Sequence, residues 1–304
     1  MGQRPGAIDR FWKIFLRFLW IFLNKSAIIK QMSEPLFSII TINYNNKAGL
    51  KKTMDSVLEQ DFQDYEYIII DGGSSDGSRE LIESYLADPK CKKRVSFWSS
   101  EPDTGIYNAM NKGIARAKGA FVNLLNSGDA FCKNVLAQLA PIAKENFGKI
   151  LYGAVNFYEG GKFVLTLGRS ADGLPQNMIA HQSCFVPLEL YKKHGPYDES
   201  YKITSDYEKF LRFYANKEEF IFTNLIIADY DNEGISAKKN DLVLQENRRA
   251  REKYGFYVQP KKPLIKPLLH FLLPGACFWL AKFLLKPFRP QQAQSQSVSS
   301  AALM

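Results

Sequence analysis

The sequence predicts an α/β protein whose mostly parallel central sheet is flanked by helices. Short apolar runs of strand length alternate with longer runs of helical periodicity through the middle of the chain. Strand, helix, strand and helix in succession imply parallel pairing through right-handed crossovers. The 304 residues and the 46% apolar share are enough for one large domain or two small ones.

The first elements follow one another in a regular order. A buried strand is predicted at 36–44, and an amphipathic helix follows at 47–60. The run YEYIIID predicts a second strand that ends at Asp71 in a Gly/Ser turn. A helix at 78–86 and a strand at 94–100 come next. This order predicts two βαβ units side by side.

The segment 101–129 predicts a helix, a buried strand and a carboxylate at the strand's end. Apolar residues recur there at three- and four-residue spacing, and either Asp103 or Thr104 could cap the helix. Gly119 is expected to close it. The apolar run at 120–126 then predicts a central strand that is buried on both faces.

Polar residues stand where the predicted strands end. In open α/β sheets ligands bind outside the carboxyl ends of the strands, so we expect these residues to share a crevice with the Asp103 turn. A carboxylate placed there can hold a divalent cation against phosphate oxygens, although an ordinary turn at 127–129 is the alternative. The residues are Thr41, Asn43 and Tyr44 after the first strand, Asp71 after the second, and Asp129 after the run at 120–126.

The net charge of +9 is confined to the two ends of the chain. Residues 1–34 carry a charge of +4 and residues 255–304 carry +6, whereas the residues between them sum to −1. A nucleic-acid-binding protein would carry a basic surface on its folded domain. The nearly neutral middle therefore disfavours nucleic acid as a partner.

Both charged ends are also rich in aromatic and aliphatic residues. Lys13 and Arg17 interrupt the first apolar run too early for a clean span of about 20 residues, which favours an interfacial helix. The run at 263–290 contains Pro267 and Pro274 and predicts kinked short helices. Both ends are expected to lie on an anionic membrane surface, with packing as core helices or in oligomers as the alternative.

These patterns divide the chain into four parts. They are an N-terminal basic amphipathic helix at 1–34, an α/β domain at 35–240, membrane-associating helices at 241–290 and a disordered tail at 291–304. The four cysteines show no zinc or redox spacing, so buried thiols in a reduced compartment are expected. A GxGxxG dinucleotide fingerprint is absent. The oligomeric state is left open.

Five motifs, in this order, carry a resemblance to a known family. FSIITINYNN, IIIDGGSSDGS, EPDTGIYNAMNKGIARAKG, LLNSGD and SDYEKFLR resemble the family 2 glycosyltransferases of the GT-A fold. The likeness is closest to bacterial enzymes that build O-antigen, capsule and colanic-acid-type polysaccharides, and it covers residues 36–231. It implies a GT-A sheet, a nucleotide-sugar donor and Mg²⁺ or Mn²⁺ as cofactor.

The resemblance also assigns the donor side of the site. Asp129 matches the last acid of the metal-binding DxD motif, but Ser127 and Gly128 precede it, so only one acid remains. One carboxylate with diphosphate oxygens and waters can still hold a divalent ion. The positions that match donor contacts are Thr41, Asn43, Tyr44, Asp71, Asp103, Gly105, Lys112 and Asn126.

The same resemblance places the catalytic base at Asp206, with Glu208 as the second choice. A simple N-cap of the following helix is the competing interpretation of Asp206. His181 and Gln182 could contact the diphosphate, the metal or the acceptor, or His181 could be a packing residue. Asp229 and Asp231 are expected to end a strand, and the GIS that follows could line the site.

Two classes of function follow. The first is an inverting glycosyltransferase on the cytoplasmic face of the bacterial inner membrane, with a lipid-linked saccharide as acceptor. The second is a catalytically degenerate nucleotide-sugar-binding or scaffold protein at the membrane surface. They differ in whether Asp206 is required for turnover.

Overall fold

The computed structural model describes residues 34–231 and 240–256, which form a mixed sheet of nine strands with eight helices. The strands are β1 (Phe37–Asn43), β2 (Tyr65–Asp71), β3 (Val95–Ser100), β4 (Phe121–Leu124), β5 (Ala130–Phe131), β6 (Ile150–Glu159), β7 (Lys162–Leu167), β8 (Cys184–Pro187) and β9 (Phe220–Asp231). The helices are α1 (Lys47–Leu58), α2 (Ser78–Leu86), α3 (Pro89–Arg94), α4 (Ile106–Ile114), α5 (Val135–Glu145), α6 (Leu188–His194), α7 (Ser205–Ala215) and α8 (Asn240–Lys253). Single 3-10 turns lie at Ala171–Gly173 and His181–Ser183.

The predicted parallel sheet is confirmed for the first four strands. The strand order is β3-β2-β1-β4-β8-β6-β9-β5, with β7 paired to β6. The β1–β2, β1–β4 and β2–β3 pairs are all parallel. Their register sets Asn43 beside Asp71, and Asp71 beside Ser100. The polar ends of three neighbouring strands therefore lie in one row.

The second half of the sheet mixes strand directions. β8 runs antiparallel to both β4 and β6, and β7 returns antiparallel along β6. β6 and β9 are parallel, and the short β5 is antiparallel to β9. Because β5 opposes the carboxyl-terminal part of β9, Asp129, which immediately precedes β5, reaches the same region of the sheet as Asp229.

The central strands are buried on both faces, as predicted. All seven residues of β1, all seven of β2 and all four of β4 are buried. Ile40 and Ile68 belong to the apolar cluster on one face, and Ile39 and Ile69 belong to the cluster on the other. Alternating side chains that enter two separate cores are the mark of a sheet covered on both sides.

Two details of the α4 region differ from expectation. The N-cap residue is Gly105 and makes no side-chain cap, so neither Asp103 nor Thr104 caps the helix. The Asp103 carboxylate instead accepts a hydrogen bond from the Gly105 amide at 2.9 Å. The helix ends at Ile114, five residues before Gly119, which packs against β1 so closely that a Cβ would lie 2.6 Å from the Ser38 nitrogen.

The helix α8 packs against α7, although the sequence pattern grouped its residues with the C-terminal helices. Within 34–231 and 240–256, no helix has both the length and the apolarity needed to cross a bilayer. The predicted amphipathic helix at 1–34, except for its last residue, the apolar run at 263–290, the tail and the GIS at 234–236 lie outside the described residues.

Candidate active site

Hydrogen bonds between strand ends organise one side of the crevice around Asp71. The Asn43 amide donates to Asp71 Oδ1 at 2.7 Å, and the Ser100 hydroxyl donates to Oδ2 at 2.6 Å. Ser74 adds its hydroxyl to Oδ1 at 2.5 Å and its backbone N–H to Oδ2 at 3.0 Å. Although burial raises the pKa of Asp71, the hydrogen bonds from Ser100, Ser74 and Asn43 outweigh it and hold that pKa below its usual value.

These four donors fill the acceptor positions of the Asp71 carboxylate, because a carboxylate offers about four lone pairs. Asp71 therefore fixes the turn that follows β2. The side-chain oxygen of Asn43 is buried and has no hydrogen-bond partner among residues 34–231 and 240–256. The predicted nucleoside contact of Asp71 itself stays a prediction.

The predicted contact between Thr41 and the donor disagrees with the position of this residue in the sheet. Its side chain is fully buried, and its hydroxyl accepts a hydrogen bond from the Tyr67 hydroxyl at 2.9 Å. The strand β1 continues for two residues beyond Thr41, so this side chain lies inside the sheet and not at its edge. Tyr44, by contrast, is 66% exposed at the mouth of the crevice.

Asp103 lies against the end of β2. A Cβ at Gly72 would lie 2.5 Å from Asp103 Oδ2, so only glycine permits this approach. The N-terminus of α4 begins beside this carboxylate at Gly105. Lys112 lies about two turns along the same helix and reaches back to the Pro102 carbonyl at 3.2 Å and to Glu101 at 4.0 Å. The loop at 101–105 and the strand ends thus form one wall.

The turn that carries Asp129 is anchored from the helix α1. The Thr53 hydroxyl accepts from the Gly128 amide at 3.0 Å and donates to the Asp129 carbonyl at 2.6 Å. Gly128 has a φ of +107°, which side chains rarely tolerate. Asp129 is only 5% exposed, whereas ordinary turns lie at the surface. These contacts favour a built site over an ordinary turn.

Asp206 and the Asp129 turn are joined through His181. The Asp206 Oδ2 lies 3.1 Å from His181 Nδ1, and the other ring nitrogen lies 3.3 Å from the Asn126 amide nitrogen. The Asn126 carbonyl in turn accepts from the Asp129 amide at 3.0 Å. Asn126 follows β4, His181 lies in the second 3-10 turn, and Asp206 lies on α7. His181 is therefore part of this cluster and not an isolated packing residue.

The N-cap interpretation of Asp206 is wrong, because the helix α7 begins at Ser205 and its N-cap is Thr204. Asp206 Oδ1 lies 3.2 Å from the Tyr107 hydroxyl and accepts from the Tyr207 amide at 2.9 Å. Its side chain keeps 14% exposure. Burial and the charge of Asp206 raise the pKa of Tyr107, so this phenol stays protonated as a donor.

Asn123 fixes the turn that presents His181. It lies in the middle of β4 with no exposure, and its amide donates to the carbonyls of Gln182 and Cys184 at 2.9 and 3.0 Å. The Gln182 side chain is 4% exposed, so its contact with a ligand stays a prediction.

Glu208 lies in a different environment from Asp206. It is fully buried and hydrogen-bonds to Arg212 at 2.6 Å, Lys253 at 2.8 Å and the Tyr254 hydroxyl at 2.5 Å. Burial raises its pKa, but these donors outweigh that effect and lower it below its usual value. The side chain stabilises the contact between α7 and α8, so its geometry does not fit the second-choice base.

A divalent cation fits this site only in part. Within residues 34–231 and 240–256, no cluster of three or more His, Cys, Asp or Glu side chains could enclose one. The buried side-chain oxygen of Asn126 has no partner within the same described residues and lies in the Asp129 loop. A carboxylate and an amide oxygen suit Mg²⁺ or Mn²⁺ when diphosphate oxygens and waters complete the shell.

Other polar features lie apart from this cluster. His194 pairs with Glu218 at 2.7 Å, and Asp229 accepts from Asn156 at 2.9 Å near the end of β9. The strand β9 ends at Asp231, which confirms the prediction that the pair Asp229 and Asp231 ends a strand. A cavity of about 590 Å³ is lined by aromatic residues of β6, β9 and α7 and by Phe256, but by none of the predicted site residues.

Sequence reasoning missed several residues that build the site. Asn123 and Thr53 carry a signal that could have been used, because each is a polar residue on an otherwise buried strand or helix face. Ser74 and Ser100 follow strand ends like the residues that were chosen. Tyr107 carries no comparable local signal.

The fold is that of the GT-A structural neighbours. The structure of S. aureus TarS 1-349 in complex with UDP-GlcNAc matches with a TM-score of 0.59 at 17% identity, over 74% of this chain and 68% of that one. The mannosyltransferase PcManGT from Pyrobaculum calidifontis, in complex with GDP-Man and Mn²⁺, matches with a TM-score of 0.55 at 16% identity, over 78% and 68% of the two chains. At this identity the likeness shows the fold.

The family itself is shown by sequence. The family model for glycosyl transferase family 2 matches residues 38–218, and the chain belongs to that family. An uncharacterized glycosyltransferase of Mycobacterium tuberculosis is 32% identical over 219 residues, which are 68% of this chain and 79% of the relative. A PGL/p-HBAD biosynthesis glycosyltransferase of Mycobacterium bovis is 28% identical over 211 residues, 67% of this chain and 79% of the relative. The protein is a glycosyltransferase.

Proposed function

We propose that the protein is an inverting glycosyltransferase that moves a sugar from a UDP-sugar to a hydroxyl of a lipid-linked saccharide, in the synthesis of a cell-surface polysaccharide. The observation that carries this proposal is the hydrogen-bonded line from the Asp129 loop through His181 to Asp206. It brings a candidate diphosphate site and a candidate base to one crevice.

The relatives support the substrate classes. One match over 34% of the chain, at 36% identity, is the putative teichuronic acid biosynthesis glycosyltransferase TuaG of Bacillus subtilis, and another is the Mycobacterium bovis PGL/p-HBAD enzyme. TarS binds UDP-GlcNAc and PcManGT binds GDP-Man. A bacterial surface glycan and a nucleotide diphosphate sugar are therefore the substrates we propose.

Asp206 is the base in this mechanism. Its carboxylate accepts the proton of the acceptor hydroxyl while the hydroxyl oxygen bonds to the anomeric carbon and the bond to the diphosphate breaks. Attack on the face opposite the leaving group inverts the anomeric configuration. His181 and Tyr107 hold one carboxylate oxygen each, which leaves the exposed edge of Asp206 to meet the acceptor.

The donor side binds the nucleotide and the leaving group. Asn43 offers its unpartnered oxygen, and Asp103, Gly105 and Lys112 line the wall that faces the phosphates. Asp129, with the Asn126 side-chain oxygen, would hold Mg²⁺ or Mn²⁺. A bound ion of this kind supplies positive charge that stabilises the departing diphosphate. The Mn²⁺ in the PcManGT complex supports this choice.

The location that we propose is the cytoplasmic face of the bacterial inner membrane. Its support is the sequence of the two ends, where basic and aromatic residues occur together. Such segments bind anionic lipid surfaces, with about 1 kcal/mol from each basic residue near the surface. A lipid-linked acceptor would lie in the same membrane.

A second candidate function rests on the single acid of the DxD-like motif. One carboxylate holds a cation more weakly than two, so the chain could bind a nucleotide sugar at the membrane without transferring it. In that case donor binding would persist and turnover would be absent.

One experiment separates these functions. Release of nucleoside diphosphate is measured from UDP-, GDP- and dTDP-sugars, with membrane lipid extract as acceptor and with Mg²⁺, Mn²⁺ or EDTA. Lipid-dependent release from one donor that stops in EDTA is the expected result. Donor binding by calorimetry without release from any donor would contradict the transferase and favour the scaffold.

A further inference from the structure

The carboxylate of Glu246, on α8, caps the backbone that leads into the helix of the proposed base. Its Oε1 accepts from the Lys202 amide at 2.6 Å, and its Oε2 accepts from the amides of Ile203 and Thr204 at 3.0 and 2.9 Å. The residue is 6% exposed. Three successive backbone donors on one buried carboxylate form a tightly specified contact.

This contact holds the N-cap amide of α7 and the two amides before it. The N-cap residue Thr204 makes no side-chain bond to its own helix, and its hydroxyl donates to Glu246 at 3.2 Å. Helix N-termini leave amides unpaired and favour a negative charge. A residue of α8, 42 positions along the chain from Thr204, supplies that charge.

The capped segment also contacts Asp206 indirectly. The Ile203 carbonyl accepts a hydrogen bond from the Tyr107 hydroxyl, and this hydroxyl lies 3.2 Å from Asp206 Oδ1. A shift of 202–204 would therefore move both the first turn of α7 and the phenol beside the carboxylate. Catalysis depends steeply on such placement, since a displacement of about 1 Å can cost about 100-fold in rate.

The rest of α8 holds Glu246 in place. Arg251 donates to the Tyr207 hydroxyl at 2.8 Å and to the Gln176 carbonyl at 2.8 Å. Lys253 donates to the buried Glu208 at 2.8 Å. These contacts lie on the same helix face as Ala250, which has no exposed surface.

We propose that Glu246 is a positioning residue for the base Asp206, acting through the 202–204 backbone and Tyr107. The proposal rests on the proposed function. Glu246 belongs to a segment that the sequence assigned to the membrane-associating end of the chain, so α8 has a role in the catalytic domain.

The test compares Glu246→Ala and Glu246→Gln with a matched control, Glu252→Gln. Glu252 lies on the same helix, is 47% exposed and pairs with Arg248. In the full-length chain we expect kcat to fall about 10- to 100-fold in Glu246→Ala. Glu246→Gln replaces one acceptor oxygen with an NH₂ group that faces a backbone amide, but it keeps the other acceptor oxygen. Its loss of kcat should therefore be smaller than that of Glu246→Ala. The control should match the wild type.

The affinity for the donor separates positioning from general damage. The donor wall is formed by Asn43, Asp71, Ser74 and Ser100, at and just after the ends of β1, β2 and β3, which are joined by hydrogen bonds to Asp71. These residues lie on other elements than Glu246, the 202–204 backbone and Tyr107. The Kd for the UDP-sugar should therefore stay within about twofold in the Glu246 variants at temperatures below their melting transitions, as for sites without shared partners. A kcat within about twofold of the control in Glu246→Ala, or donor affinity lost in proportion to kcat, would overturn the proposal.

A double-mutant cycle supplies a second test and remains available if the alanine variant does not fold. If Glu246 acts through Tyr107, the losses in kcat from Tyr107→Phe and Glu246→Gln will not multiply. Losses that multiply in the double variant would overturn the route. Failure of the proposed function has a different signature, whatever the Glu246 variants do: either the wild type binds the donor without releasing nucleoside diphosphate, or Asp206→Asn turns over like the wild type.

Discussion

The donor wall and the base-side cluster are built in different ways. The donor wall, formed by Asn43, Asp71, Ser74 and Ser100, comes from adjacent strand ends whose positions follow from the backbone ladder. The base-side cluster, formed by Tyr107, His181, Asp206 and Glu246, comes from four segments that meet only in the folded chain. Sheet register therefore fixes one half of the site, and helix docking fixes the other.

The hydrogen-bond lengths show the same contrast. Asp71 receives its side-chain hydrogen bonds at 2.5–2.7 Å, whereas Asp206 lies 3.1 Å from His181 and 3.2 Å from Tyr107. Catalytic hydrogen bonds are often long in the absence of substrate and tighten when it binds. Changes to the base side should therefore affect turnover, and changes to the donor wall should affect stability and donor binding.

The largest expected loss of turnover is in Asp206→Asn. An amide cannot take the acceptor proton, so kcat should fall about 10³-fold, within the range for loss of a general base. Donor Kd should not change, because Asp206 is not part of the donor wall. Nucleoside diphosphate release and calorimetry measure the two quantities.

Glu208→Gln is the control for that variant. It lies two residues away in a buried network with Arg212 and Lys253. The control should lower the melting temperature and cost far less in kcat than the roughly 10³-fold loss in Asp206→Asn, because Glu208 acts only through the docking of α8. Loss of turnover in Glu208→Gln with activity retained in Asp206→Asn would exchange the two roles.

Asp129→Asn should lower kcat/KM about 100-fold at limiting Mn²⁺, because it removes the only acid of the DxD-like motif. The loss of one contact that stabilises a developing negative charge typically costs about this much. Excess Mn²⁺ should restore part of the loss. A titration of Mn²⁺ at fixed donor concentration measures it, with the exposed Asp61→Asn as control. An unchanged metal requirement would remove Asp129 from the metal site.

His181→Asn should lower kcat about tenfold by releasing one oxygen of Asp206 from its 3.1 Å contact. The matched control is His194→Asn, which breaks the histidine–carboxylate pair with Glu218 elsewhere in the domain. The control should lower stability and keep kcat. Equal losses of kcat in the two variants would show that the position of His181 does not matter for catalysis.

The smallest effect on turnover at saturating donor is expected in Asp71→Asn, which should instead reduce the free energy of unfolding by about 2 kcal/mol. Hydrogen bonds lower the pKa of Asp71 in the folded state. The Asp71 carboxylate therefore stabilises the folded protein fully above its unfolded pKa of about 3.9, and this contribution disappears as the pH falls through the folded pKa, which is lower. Denaturant unfolding over a pH series should show the difference between the variant and the wild type become smaller as the pH falls below about 3.9. A constant difference would contradict this.

The same contrast explains what the sequence could predict. The strands β1, β2 and β4, the helices between them and the polar strand ends follow from local periodicity and from the parallel pairing that it implies. Asp71 and Asn43 could therefore be placed side by side in advance. Thr41 could not be excluded, because the exact end of a strand is poorly defined in sequence.

The base side depends on contacts between residues 25 to 99 positions apart in the chain. Nothing in the run SDYEKFLR indicates which of its two acids faces a crevice and which is buried against α8. Glu246 lies in a charged segment, QENRRAREK, that looks like a solvated helix face. Only the docking of α8 on α7 reveals its partners.

The anomeric configuration of the product tests the central claim most directly. With the donor identified by nucleoside diphosphate release, proton NMR of the transferred sugar compares its anomeric coupling with that of the donor. A single displacement assisted by Asp206 predicts the opposite configuration in the product. Retention of the donor configuration would contradict Asp206 as the base of a one-step transfer.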